Sequence, residues 1–277
     1  MKVVYCEQMN AKPRKRCPSP GKPRLVAEDW LAHGLPIEFV EPIIDDVINL
    51  LRRVHDPLYV YGIFDGTILN GFHSNDKDIR QSLLFTVGAM VTAAITAFRT
   101  GENVAALCSG FHHAHYDHAE GFCTFNGLLA AARAIRDISR GKIGILDCDY
   151  HYGNGTDDII KRLEIDWIKH ITVGDRFFME DQAEEFLREL PAMVESFSDC
   201  SVLIYQAGAD QYIKDPLGGL LTIEQLRQRD NIVFSTSKIP VCFNLAGGYK
   251  REKDGSIPKV LEIHRNTALV CLAKTSD

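Results

Sequence analysis

Ile143-Gly-Ile-Leu-Asp-Cys-Asp-Tyr-His-Tyr-Gly-Asn-Gly155 runs from apolar, β-branched residues into Asp147-x-Asp149-x-His151 and then breaks at two glycines. The apolar part reads as a buried strand. Successive side chains of a strand alternate between faces, so Asp147, Asp149 and His151 are expected to project to one side where the strand ends. Carboxylate oxygen with imidazole nitrogen suits zinc and other divalent first-row ions, and a catalytic zinc takes three protein ligands and leaves one position open. The pattern points to metal-assisted hydrolysis. Acids at a strand end also cap helices or face solvent, so the remaining segments have to decide.

Working outward, similar short apolar runs occur at residues 3–5, 37–40, 104–107, 143–146, 170–173, 202–205 and 241–245. Between most of them lie helical patterns, with apolar residues at i, i+3, i+4 spacing over residues 43–54, 81–99, 119–139, 157–163, 182–196, 222–237 and 258–273. Alternation of this kind predicts an α/β fold: a mainly parallel central sheet covered by helices on both faces, as one domain over residues 1–277. Ligands of such sheets bind beyond the carboxyl ends of the strands, which is where the polar motifs fall.

The 277 residues carry a net charge of −6, which argues against a general nucleic-acid-binding surface and leaves a small molecule or peptide as the expected partner. Eight cysteines without Cys-x-x-Cys pairs fit free thiols in a reducing compartment, and the expected location is cytoplasmic. No uninterrupted apolar run reaches the ~18 residues that span a bilayer, and no membrane association is expected. Residues 12–24, rich in Lys, Arg and Pro, read as a solvated surface loop, with an anion-binding patch or a rim over the active site as the alternatives.

Three further segments carry chemistry. Ser109-Gly-Phe-His-His-Ala-His-Tyr-Asp-His-Ala-Glu-Gly-Phe-Cys-Thr-Phe-Asn126 follows a strand and holds four of the ten histidines. The adjacent pair His112 and His113 would land on the same sheet edge as Asp149 and can supply acid and base groups. His115 and His118 could be mistaken for metal ligands and are read as surface or supporting groups. Val202-Leu-Ile-Tyr-Gln-Ala-Gly-Ala-Asp210 is again a buried strand ending in small residues and a carboxylate, which can complete the metal shell. Val241-Cys-Phe-Asn-Leu-Ala-Gly-Gly-Tyr249 ends in two glycines and a phenol that could donate to a developing oxyanion.

Taken in order, these segments resemble the histone deacetylase and acetylpolyamine amidohydrolase family, from Val54-His-Asp-Pro-Leu-Tyr-Val60 to Gly-Gly-Tyr249. The resemblance implies zinc, one per chain, held by Asp149, His151 and Asp210. It implies His113 as general base and then acid, His112 as electrostatic partner, and Tyr249 at the oxyanion. Asp147 would orient His112 and help form a monovalent cation site such as one for K⁺. Gly121 and Phe122 resemble one wall of a narrow acyl-lysine channel, with Phe178 as candidate for the opposite wall. Asn154 departs from the aspartate that many members carry beside the second histidine; without full negative charge beside it, His113 should be less basic. The short chain also leaves little room for long entrance loops.

The implied activity is removal of acetyl or another short acyl group from an acylated amine or acyl-lysine peptide, with long acyl chains left open. For a polyamine, Asp76 and Asp78 are candidate carboxylates at the channel mouth. A catalytically silent acyl-ligand-binding or scaffold protein is the alternative. An arginase-like manganese enzyme is disfavoured, because two ions need more carboxylates and Gly-Gly-Tyr has no place there.

Overall fold

Seven of the expected runs form strands: β1 (Lys2–Val4), β2 (Glu38–Val40), β3 (Val104–Ser109), β4 (Lys142–Asp147), β5 (Ile168–Thr172), β6 (Cys200–Gln206) and β7 (Val241–Ala246). In the computed structural model, which describes residues 1–12 and 17–274, they pair in parallel throughout, in the order β2-β1-β3-β7-β6-β4-β5. The four central strands β3, β7, β6 and β4 are buried along nearly their whole length. Continuous apolar sequence is what such strands need when helices cover both faces.

The helices are α1 (Lys22–Ala32), α2 (Val47–Leu51), α3 (Pro57–Asp65), α4 (Lys77–Thr100), α5 (Gly127–Ile138), α6 (Asn154–Arg162), α7 (Ala183–Glu195), α8 (Ile223–Thr236) and α9 (Pro258–Lys274). The long α4 packs on β3, β1, β6 and β7 and against α5, while α7, α8, α9 and α1 contact one another in series. By length and composition α4 is apolar enough to cross a bilayer, although polar and charged residues interrupt its apolar run. Its buried side chains, among them Val87, Met90, Val91 and Ala94, belong to the main core.

Several boundaries move, each for a local reason. The pattern over residues 119–139 begins its helix only at Gly127, because Asn126 accepts from Leu129 N and caps α5 there. Residues 43–54 hold only the short α2. The sequence reading missed α3, which Asp56 caps through Leu58 N and Tyr59 N with Pro57 at the first helical position. It also missed α1. Within residues 12–24, residues 13–16 lie outside the described residues, but Ser19–Gly21 forms a 3-10 turn and Lys22 opens α1. Pro23 is tolerated because the first helical turn needs no N–H there. The expectation of a solvated loop fails most clearly at Lys22, which is fully buried.

Candidate metal centre and active site

β3, β7, β6 and β4 are neighbours in the sheet, so their carboxyl ends bring four sequence-distant segments to one place. Asp149 and His151 follow β4, Asp210 follows β6, and their ligand atoms lie within 4.8 Å of one another. His151 Nδ1 stands 3.1 Å from Asp149 Oδ1 and 3.3 Å from Asp210 Oδ2. Asp149 and Asp210 are buried, and Asp210 Oδ2 has no hydrogen-bond partner. Two buried carboxylates side by side, one with an orphaned oxygen, are costly unless a cation neutralises them. Burial and then Asp149 raise Asp210 to about 7. In Asp149 burial acts in the same direction, but His112 and the His151 hydrogen bond outweigh it and hold the carboxyl well below its ordinary value. The donor set of two oxygens and one nitrogen fits a divalent first-row ion.

Asp147 does not join that cluster, although it sits on the same stretch. Its Oδ2 accepts from His112 Nδ1 at 2.7 Å, and its Oδ1 accepts from Asp149 N at 3.1 Å and Gln206 Nε2 at 2.8 Å. The strand ends at Asp147, so strand alternation no longer governs Asp149 and His151, and the three side chains do not form one wall of ligands. His112 is buried, which opposes its charge, but Asp147 and then Asp149 carry its pKa up to about 9. His113 lies beside it, with ring centroids 4.0 Å apart. Burial, then the His112 charge, lowers His113 to about 4. Its Nδ1–H donates to Asn154 Oδ1 at 2.6 Å, which leaves Nε2 as the acceptor.

The turn after β7 closes the site. Gly247 N donates to Asp149 Oδ2 at 2.8 Å, and a methyl group on Gly247 would collide with Asp210 Oδ2. Tyr249 is held through its backbone, since Asp215 Oδ2 accepts from Tyr249 N at 2.6 Å and from Lys250 N at 2.9 Å. Burial, then Asp149 and Asp210, push the Tyr249 phenol well above its ordinary range, so it stays a donor. The ring lies 5.9 Å from Phe122.

One cavity joins His112, Asp149, Gly247 and Tyr249 to Phe72, Phe122 and the apolar side chains of Pro20, Ile79 and Leu83. Gly121 and Phe122 both have positive φ, 52° and 64°, and a methyl group on Gly121 would strike the His113 ring. Phe72 stacks on Phe122 at 5.9 Å. Phe178 is half exposed and outside the cavity lining, its carbonyl accepting from Tyr150 Oη. Asp76 caps α4 by accepting from Asp78 N and Ile79 N.

Three supporting groups escaped the sequence reading. Lys22 Nζ donates to the carbonyls of Ala246 and Gly247 at 2.6 and 3.2 Å, pinning the turn that carries Tyr249. Burial lowers its pKa, against the pull of Asp210 and Asp149 among others. Arg229, also fully buried, donates to the carbonyls of Gly208 and Cys148 at 2.7 and 3.3 Å, behind both carboxylate ligands. Asp215 is the third, and its only sequence signal is its place five residues beyond Asp210.

The profile of the histone deacetylase domain matches residues 49–165, a span that includes the histidine pair, Asp149, His151 and Asn154 but ends before Asp210 and Tyr249. Acetylpolyamine amidohydrolase 2 of Pseudomonas aeruginosa is 31% identical over 48% of this chain and 38% of its own length. A probable deacetylase of Methanothermobacter thermautotrophicus is 27% identical over 85% of this chain and 81% of its own. Acetylpolyamine amidohydrolase of Mycoplana ramosa reaches 48% identity, over 27% of this chain and 20% of its own length. This chain thus spans well under two thirds of the amidohydrolases it matches. Among solved structures, the HDA15 HD domain superposes with a TM-score of 0.80 over 100% of this chain and 89% of that one, at 19% identity, a likeness of fold. The chain is thus similar, over residues 49–165, to the histone deacetylase domain, and in parts to acetylpolyamine amidohydrolases.

Proposed function

We propose that this protein is a zinc-dependent amidohydrolase that removes acetyl or another short acyl group from an acylated amine. The observation that carries the reading is the buried pair Asp149 and Asp210, with its orphaned oxygen, beside two imidazoles held by different partners, His112 by Asp147 and His113 by Asn154. Asp149, His151 and Asp210 would hold zinc, which would supply Lewis acidity toward a water and the acyl carbonyl. The rest falls to side chains. His113, neutral and with Nε2 free, takes the proton of the attacking water and returns it to the leaving amine. His112, charged through Asp147, stabilises negative charge beside it. The Tyr249 phenol donates to the oxyanion, and Lys22 and Asp215 position it through the backbone.

Acylated amines are the substrate class suggested by the relatives named as acetylpolyamine amidohydrolases. Phe122, backed by Phe72, would line the path of the alkyl chain of a lysine or polyamine, with Phe178 as the candidate for the opposite side. With Asp76 engaged as a helix cap, Asp78 is the better candidate for a second ammonium. A monovalent cation such as K⁺ beside Asp147 belongs to the same proposal, as does a reducing, cytoplasmic location, supported by eight free and buried cysteines.

The test is hydrolysis of acetyl-lysine peptide, acetylputrescine, acetylspermidine and a longer acyl-lysine peptide by zinc-loaded protein, with and without chelator. Turnover is expected to vanish with chelator and in His151→Ala, which should lose the metal. Tyr249→Phe should keep the metal and lose turnover. A metal-loaded protein that binds these amides and hydrolyses none would favour the scaffold alternative.

A further inference from the structure

We propose that His115, His118 and Glu120 form a second divalent-metal site, suited to zinc, at the outer end of the hydrogen-bond chain that reaches His113. One donor atom from each of the three lies within 4.8 Å of the others. The two imidazole rings stack, 8° apart in plane and 4.3 Å between centroids, and the exposed His118 ring turns out of the stack to bring its lone pair onto the same ion as His115.

What separates this cluster from an incidental surface group is how the rings are held. His115 Nδ1 lies 3.3 Å from Asp158 Oδ2, and that carboxylate is itself fixed by Tyr116 N at 3.0 Å. His118 Nδ1 lies 2.8 Å from Asp117 Oδ1, whose other oxygen accepts from Arg162 Nη1 at 2.8 Å. A carboxylate beside Nδ1 is the arrangement found behind metal-binding histidines. Both Nε2 atoms are left for a ligand. His115 Nε2 already faces Glu120 Oε2 at 2.9 Å, a contact in which a metal ion would replace the shared proton. The backbone is fixed in advance, by His115 N on His118 O at 3.0 Å and by the mutual bonds of Glu120 and Cys123. Two nitrogens and one oxygen, with a side open to solvent, suit zinc.

The site communicates inward. Glu120 Oε2 also accepts from Asn154 Nδ2 at 3.1 Å, and Asn154 Oδ1 accepts from His113 Nδ1. Metal binding draws on the same oxygen, so occupancy alters the group that orients His113. This last step rests on the catalytic role proposed for His113; the binding step does not.

The experiment is a zinc titration of metal-free protein, with bound metal counted after dialysis. The parent is expected to hold two zinc ions. His151→Ala should keep one, at the outer site, and His118→Ala should keep one, at the inner site. His118 is exposed, so its replacement leaves the fold intact, and Glu120→Gln should weaken the outer site by about tenfold or more. In nitrogen-labelled histidine spectra the second equivalent of zinc should shift the His113 ring signals in the parent and not in His118→Ala. A parent that binds one zinc, lost entirely in His151→Ala and unchanged in His118→Ala, overturns this proposal and leaves the inner site standing. One zinc retained by His151→Ala and lost when His118→Ala is added supports it, whatever becomes of the amidohydrolase reading.

Discussion

His55 should make the fold sensitive to mild acid. Its Nδ1–H donates to the carbonyl of His115 at 2.8 Å, and its Nε2 accepts from Asn126 N at 2.8 Å. It is fully buried. Only the neutral ring satisfies both bonds, since a proton on Nε2 would face the N–H of Asn126. Burial accordingly lowers its pKa to about 4, despite the carbonyls of His115 and Tyr116. Unfolded, the same ring titrates near ~6.5. Below that pH the unfolded chain binds a proton the folded chain refuses, so stability is complete above pH ~6.5 and is lost as pH falls toward ~4. The full difference is about 3 kcal/mol, and about 2 kcal/mol of it is spent by pH ~5. His55→Gln keeps a donor and an acceptor and removes the titration. Urea denaturation, followed by the fluorescence of Trp30 and Trp167, gives the stability of each protein at pH ~7.5 and ~5. The parent should lose about 2 kcal/mol more than the variant between the two. Titrations common to both, such as that of buried His264, cancel in this comparison. Equal losses would refute the assignment of His55 as a neutral buried ring.

The remaining predictions concern the site and its support. Gly247→Ala places a methyl group against Asp210 Oδ2 and 2.8 Å from Asp149 Oδ2; zinc affinity should drop by at least about tenfold, measured by competition with a chromophoric chelator. Asn154→Asp puts a charge on His113 Nδ1, favouring its protonated form, so the acid limb of the rate profile should move to higher pH. An unmoved limb would mean that His113 is not the titrating base. Arg229→Leu leaves Asp230 buried without its partner at 2.9 Å and should cost about 3–5 kcal/mol in urea denaturation.

Much of this architecture was legible because its logic is local. Each strand is a short apolar run, and each site segment begins where such a run ends, so the seven strands and the convergence of His112, Asp149, Asp210 and Tyr249 follow from reading run and break together. Side-chain direction past the strand end was not legible. Asp147 and Asp149 are two residues apart, and the expectation that both face the metal fails because the backbone leaves the strand between them. The stack of Phe72 on Phe122 was not legible either, because it depends on the positive-φ turn at Gly121 and Phe122 rather than on residue type.

Lys22 and Arg229 show where reading from residue types stops. Both are cations whose sequence surroundings resemble solvated surface, and both are fully buried. Burying a charge is costly unless it is paired and hydrogen-bonded, so each must find acceptors deep in the fold. Beyond the Asp230 carboxylate and the Gln211 side chain that Arg229 also meets, those acceptors are backbone carbonyls, of Ala246 and Gly247 for Lys22 and of Gly208 and Cys148 for Arg229. Every residue type offers a carbonyl, so no side-chain pattern announces the pairing. The carbonyls used are those that end β7 and flank the carboxylate ligands, where the chain leaves its ladder and frees acceptors. The same strand endings that expose catalytic side chains on one side therefore create the need for buried cations behind them. Asp210 and Asp149 favour the Lys22 ammonium while burial opposes it, so the residue that pins the Tyr249 turn is also electrostatically tied to the carboxylate pair.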